Sequence, residues 1–143
     1  MADLALVRKR LQKAIEQERR DAADRRQRAQ EARQAFGVFL DERAIPAFRA
    51  VAVVLKSEGL PWEVMTPSDE VRLVPDRRRD ESIAVSFDAT ADPPQPMVSV
   101  TRGRGSRTIH TERPVKPGIV TIDALTEEDV VEMLIEELRP WLG

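Results

Sequence analysis

One histidine, no cysteine and no tyrosine stand in this chain of 143 residues. That inventory narrows the available chemistry at once. Without cysteine there is no disulfide framework, zinc-thiolate site, iron–sulfur cluster or thiol nucleophile. Nucleophilic catalysis of the serine type needs a nucleophile, a base and a group that orients the base. Any such set would have to use His110, which lies in a strand-like segment beside Thr108 and Thr111. Ser106 follows Gly105 but lacks the second glycine of a nucleophile elbow. The reading is therefore a strand histidine and no catalytic residues.

Acidic side chains cluster at Asp69-Glu70, Asp80-Glu81 and Glu127-Glu128-Asp129. Turn formation, solubility and helix capping account for all three. No metal ligands and no cofactor are expected from them.

Arginine offers more. The run Arg102-Gly103-Arg104-Gly105-Ser106-Arg107 reads as a glycine-rich hairpin tip carrying three guanidinium groups. It lacks the lysine of a P-loop and the third glycine of a dinucleotide loop. Guanidinium groups pair with phosphate in a planar fork, so the tip is a candidate phosphate-backbone contact. Arg77, Arg78 and Arg79 form a second tip, flanked by Asp76, Asp80 and Glu81, which weaken its attraction. No aromatic residue adjoins either cluster, so base stacking is not signalled. The formal net charge of −2 also argues against a dedicated nucleic-acid binder.

The other candidate surface is apolar. Residues 3–36 contain no proline or glycine and are rich in alanine, arginine, glutamine and glutamate, which favours one long helix. Leu4, Val7, Leu11 and Ile15 fall on one face of it. Beyond them the stripe thins to alanines, and a heptad-like frame places Glu18 and Arg25 in the seam. Leu4, Val7, Leu11 and Ile15 are thus the expected contacts of a docking or self-association helix, with Phe36 and Phe39 anchoring it to the rest. The partner is a second copy, as a dimer, or another protein. Residues 1–36 hold ten basic and six acidic side chains, a balance of +4; the remainder holds thirteen and nineteen, a balance of −6.

The elements that position these groups follow from periodicity. A second helix spans about 39–58, either kinked at Pro46 or restarted there, and closed by Gly59 and Pro61. Alternating apolar residues then place strands at 62–65, 71–74, 83–87, 97–100 and 119–122, with a weaker one at 107–111. The connectors are too short for parallel crossovers, so the sheet is an antiparallel meander. Thr126 and Asp129 form a capping-box pattern ahead of a last helix. Its expected inward stripe is Val131, Leu134, Ile135 and Leu138, and Pro140 is expected to stop it.

The fold class is α+β: a helical arm at 1–36, then one domain at 37–143 built of a helix, a five- to six-stranded antiparallel meander and a C-terminal helix packed on the sheet. This element order is similar to that of small bacterial nucleoid-associated dimers, a likeness of order that implies nucleic acid as the alternative partner. No apolar run approaches membrane-spanning length and no secretory signal is recognisable, so a cytoplasmic protein without membrane contact is expected.

Overall fold

A computed structural model describes residues 2–91, 93–118 and 120–143. The chain divides into two compact units, Met1–Glu31 and Ala32–Gly143.

The first unit is helical. Helix α1 runs Leu4–Phe39. The Asp3 side chain accepts the Ala5 N–H at 3.0 Å, answering one of the free donors of the first turn. Further along, Gln17 bonds Asp21 and Gln27 bonds Glu31, the i,i+4 partners that face each other on a helix.

The second unit begins with the end of α1, where Phe36 and Phe39 are buried. A π-helical turn at Leu40–Ala44 follows, and helix α2 covers Ile45–Ser57. The turn resolves the problem posed by Pro46. Proline has no N–H to give the carbonyl four residues back, and its ring collides with that carbonyl. Here the Ile45 N–H bonds Leu40 O, five residues back, and Pro46 enters in the first turn of α2. The chain therefore stays helical through the proline. Helix α2 ends as the spacing predicts: Gly59 takes a φ of +80°, its N–H bonds Lys56 O, and Leu60 N–H bonds Leu55 O at 2.8 Å. That pair of bonds is the Schellman closure.

Five strands form one antiparallel sheet in chain order: β1 (Trp62–Met65), β2 (Glu70–Pro75), β3 (Ser82–Asp88), β4 (Gln95–Arg104) and β5 (Arg107–Pro114). The segment read as weakest, 107–111, is a full partner of β4 over eight residues. The strand expected at 119–122 does not form. Ile119 lies outside the described residues, Val120 and Thr121 are in no strand, and Ile122–Ala124 is a short 3-10 turn. The apolar residues of this connection do a different job: Val115, Ile122 and Leu125 are buried in the core. Alternation marks burial, and a connector that crosses the core shows the same pattern as a strand.

Helix α3 covers Glu127–Leu142 and opens on the expected capping box. Thr126 Oγ1 accepts the Asp129 N–H at 3.1 Å, and Asp129 Oδ2 accepts the Thr126 N–H at 2.9 Å. Its buried residues are Val130, Met133, Leu134 and Leu138. Ile135, expected inside, is exposed, so the stripe is rotated toward Val130 and Met133. Pro140 does not stop the helix; it lies inside the last turn. There a missing N–H costs one bond only, and Trp141 beyond it gains contacts described below.

The register sorts the sheet faces. Val71, Val85, Val98 and Arg113 form one row across it, and Leu73, Ile83, Val100 and Thr111 the next. The valines, Leu73 and Ile83 join Phe36, Phe39, Phe48, Leu55, Leu134 and Leu138 in one core. The opposite face holds Arg72, Ala84, Ser99 and Glu112 in one row. Arg43 ties the π-helical turn to the segment before α3, donating to the carbonyls of Asp123 (3.1 Å) and Leu125 (2.7 Å).

Candidate functional site: an exposed helix stripe and an arginine hairpin

Leu4, Val7, Leu11 and Ile15 are 79%, 46%, 58% and 41% exposed, and Leu6 beside them is 47% exposed. These are large aliphatic side chains on consecutive turns of one helix, in water. Scattered exposed leucines are normal; a contiguous set is the usual mark of an interaction surface.

The two arginine tips have different environments. In the connection from β2 to β3, Arg78 bonds Asp80 at 3.4 Å and lies 4.0 Å from Glu81. The hydrogen bond from Arg78 holds the Asp80 carboxyl below its ordinary range, and the same bond raises the guanidinium pKa. Arg79 pairs with Glu63 at 2.9 Å. Arg77 forms no ion pair among the described residues. The flanking acids thus occupy Arg78, and Glu63 on β1 occupies Arg79.

In the hairpin from β4 to β5 the turn is Gly105-Ser106, with Gly105 at φ +63°, closed by the pair Arg104 and Arg107. Gly103, read in the sequence as part of the tip, is inside β4 opposite Thr108. A glycine inside a strand marks a close approach. A Cβ on Gly103 would stand 2.5 Å from the Arg78 guanidinium. The two tips are therefore neighbours, which no spacing in the sequence indicates.

Glu81 makes the join. It is 5% exposed, and it is the buried charged residue of the described core. Its Oε2 accepts the Gly103 N–H at 2.7 Å and its Oε1 accepts the Trp141 indole N–H at 3.4 Å. Trp141 meets Trp62 edge-on at 5.2 Å, and Arg102 lies over the Trp141 ring at 5.9 Å. A buried carboxylate is tolerable only when its lone pairs are engaged. Two N–H donors and the nearby Arg78 fulfil that condition. Sequence reasoning assigned Asp80-Glu81 to a polar turn. The signal that separates them is the alternation of β3: Glu81 directly precedes a strand whose neighbouring residues are inside.

Arg102, Arg104 and Arg107 share one face of the hairpin. Arg102 and Arg104 are two apart on β4, and Arg107 is the register partner of Arg104. Arg102 also lines a cleft of about 220 Å³ between the hairpin and α3, together with Ile109, Thr111, Glu136 and Glu137. Arg113 closes off part of that acid charge by pairing with Glu136 and Glu137.

His110 is on the opposite face. Its Nδ1 is 3.0 Å from Thr101 Oγ1 and its Nε2 is 3.2 Å from Glu112 Oε1. Hydroxyl, imidazole and carboxylate stand in line, but on an open strand surface with His110 and Glu112 more than half exposed. The backbone N–H groups of β4 alternate between the ladders to β3 and β5, so none beside Thr101 is grouped to hold an oxyanion. Among the described residues no three His, Asp or Glu side chains gather as a metal site. Among them too, no helix is long and apolar enough to cross a membrane.

Compared with known proteins, the chain matches no family model, no curated protein and no solved structure.

Proposed function

We propose that this chain is a non-enzymatic cytoplasmic interaction protein whose N-terminal helix pairs with the same helix of a second copy. Leu4, Val7, Leu11 and Ile15 are the contacts. The single observation that carries this reading is their joint exposure along one helix face. Covering a leucine, isoleucine or valine stabilises by roughly 1.5–3 kcal/mol relative to leaving it in water. Four such side chains from each of two helices offset the cost of association and ordering. The charged seam positions Glu18 and Arg25 confine the pairing to the first four turns, because a charge buried without a partner there would oppose it. The contact is a short coiled-coil-like patch.

The test is solution mass, by light scattering behind size exclusion, at high micromolar protein and moderate salt. A dimer is expected. The double variant Leu4→Asp with Leu11→Asp is expected to elute as a monomer, with the melting temperature of dilute protein unchanged. A wild-type monomer overturns self-association, as does a double variant that stays dimeric.

A further inference from the structure

We propose that the face of the β4–β5 hairpin bearing Arg102, Arg104 and Arg107 is a binding site for neighbouring phosphates of a nucleic-acid backbone. The reasoning is independent of the helical arm. Arg104 and Arg107 are direct cross-strand partners at the hairpin mouth. Like charges placed directly opposite each other on a sheet are destabilising. Among the described residues neither pairs with a carboxylate, and Arg102 pairs with none either. The turn itself requires only the glycine at 105, whose φ is positive; it does not require arginine on both sides. An anion placed between the two guanidinium groups converts their repulsion into two charge-assisted hydrogen bonds.

The neighbouring loop shows what this chain does with arginines that have a structural task. Arg79 is paired with Glu63, and Arg78 with Asp80. Among the described residues the hairpin arginines form no ion pair; the carboxylates in the Arg102 cleft, Glu136 and Glu137, are paired with Arg113. Arg102 is additionally fixed, because its guanidinium lies over the Trp141 ring. A guanidinium held over an aromatic face keeps its N–H donors in its own plane, so the contact does not consume them. Arg102 and Arg104 are about 6.6 Å apart along the strand, at ~3.3 Å per residue. The three cations thus present two adjacent anion positions and not one. That geometry fits a chain of phosphates better than a single carboxylate. Arg102 lies over the Trp141 ring, so that face is taken by a cation and not offered for base stacking. Recognition is therefore of backbone charge and independent of sequence, with the salt dependence such contacts carry.

The experiment uses the full chain and a short fluorescent duplex of mixed sequence, read by anisotropy at about 50 and about 200 mM salt. Binding is expected at the lower salt, weakening steeply at the higher. Arg104→Ala with Arg107→Ala is expected to lower affinity at least about tenfold. It should also reduce the slope of log affinity against log salt by about 1.8, two contacts at ~0.9 each. Arg107→Glu separates loss of the site from loss of the fold. It places opposite charges across the strand pair, so the melting temperature is expected to hold or rise while binding is lost. Inorganic tripolyphosphate is the second probe, because it offers adjacent phosphates without a duplex. Competition by it at millimolar concentration supports phosphate recognition. Wild-type protein that does not bind the duplex at low salt overturns the proposal, whether or not tripolyphosphate binds. So does a double arginine variant with unchanged affinity and slope.

Discussion

Two helices of this chain carry nearly the same apolar spacing and meet opposite fates. In α1, Leu4, Val7, Leu11 and Ile15 advance by three, four and four residues, and all are exposed. In α3, Val130, Leu134 and Leu138 advance by fours, and all are at most 2% exposed. The difference is not in the helices. Helix α3 follows a capped start at Thr126 and has Val71, Val85 and Val98 on the sheet to cover it in one core. The first four turns of α1 have no such cover among the described residues of their own unit. An amphipathic stripe records that something is to be covered; it does not record what covers it.

The sharpest way to break this comparison is to delete the same side chain in both helices. Leu134→Ala should cost about 2–5 kcal/mol, the usual range for a leucine removed from a core. Leu11→Ala should leave the melting temperature of dilute protein unchanged and weaken self-association. Thermal unfolding at low and high protein concentration separates the two. An equal loss of stability from both variants at low concentration would mean that α1 has a covered face within the chain.

A smaller effect sharpens the other half of the comparison, the way α3 is fastened at its far end. Glu81→Ala removes the acceptor shared by the Gly103 N–H and the Trp141 indole N–H. Leaving buried donors unsatisfied costs about 1–3 kcal/mol. A denaturant titration should show that loss, and tryptophan fluorescence should shift as Trp141 leaves Trp62. A variant as stable as wild type would show that the end of α3 is held by packing alone.

The smallest effect concerns the start of α3. Thr126→Ala removes one side of the capping box and should cost about 1 kcal/mol. The same motif has a pH signature. The bond from the Thr126 N–H holds the Asp129 carboxyl below its ordinary value of 3.8, with Lys116 assisting at 3.3 Å. A lower value in the folded state means that folding favours the ionised form. That contribution is present above about pH 4 and is lost as pH falls through the folded value. Wild-type stability should therefore decline below pH 4 more steeply than that of Asp129→Asn. Parallel acid profiles of the two proteins would remove this assignment.

Much of the fold was legible because its signals are local. The Thr126–Asp129 box, the Gly59 closure and the alternation in β2, β3 and β4 each lie within a few residues, and each governs only its own neighbourhood. The errors share a cause. Residues 119–122 alternate like a strand, yet Ile122 is buried in a 3-10 turn, because burial and pairing leave the same pattern in a sequence. Pro140 has the chemistry of a helix stop, but in the last turn the penalty is small and the contacts of Trp141 outweigh it. Of the arginines singled out, the residue types were readable and their pairing was not. Arg79 meets Glu63 across 16 positions of sequence.

What the sequence alone determined is the α+β class, the long uninterrupted helix, the antiparallel order of the strands and the absence of thiol chemistry. These depend on residue type and short-range spacing, which are written directly in the chain. The tertiary structure decided the rest. It placed the tips at 77–79 and 102–107 side by side, buried Glu81 between Gly103 and Trp141, and left Arg104 facing Arg107 without a counter-charge. The reason is physical. Charge compensation and burial are set by which surfaces meet, and surfaces distant in sequence meet only when the core forms.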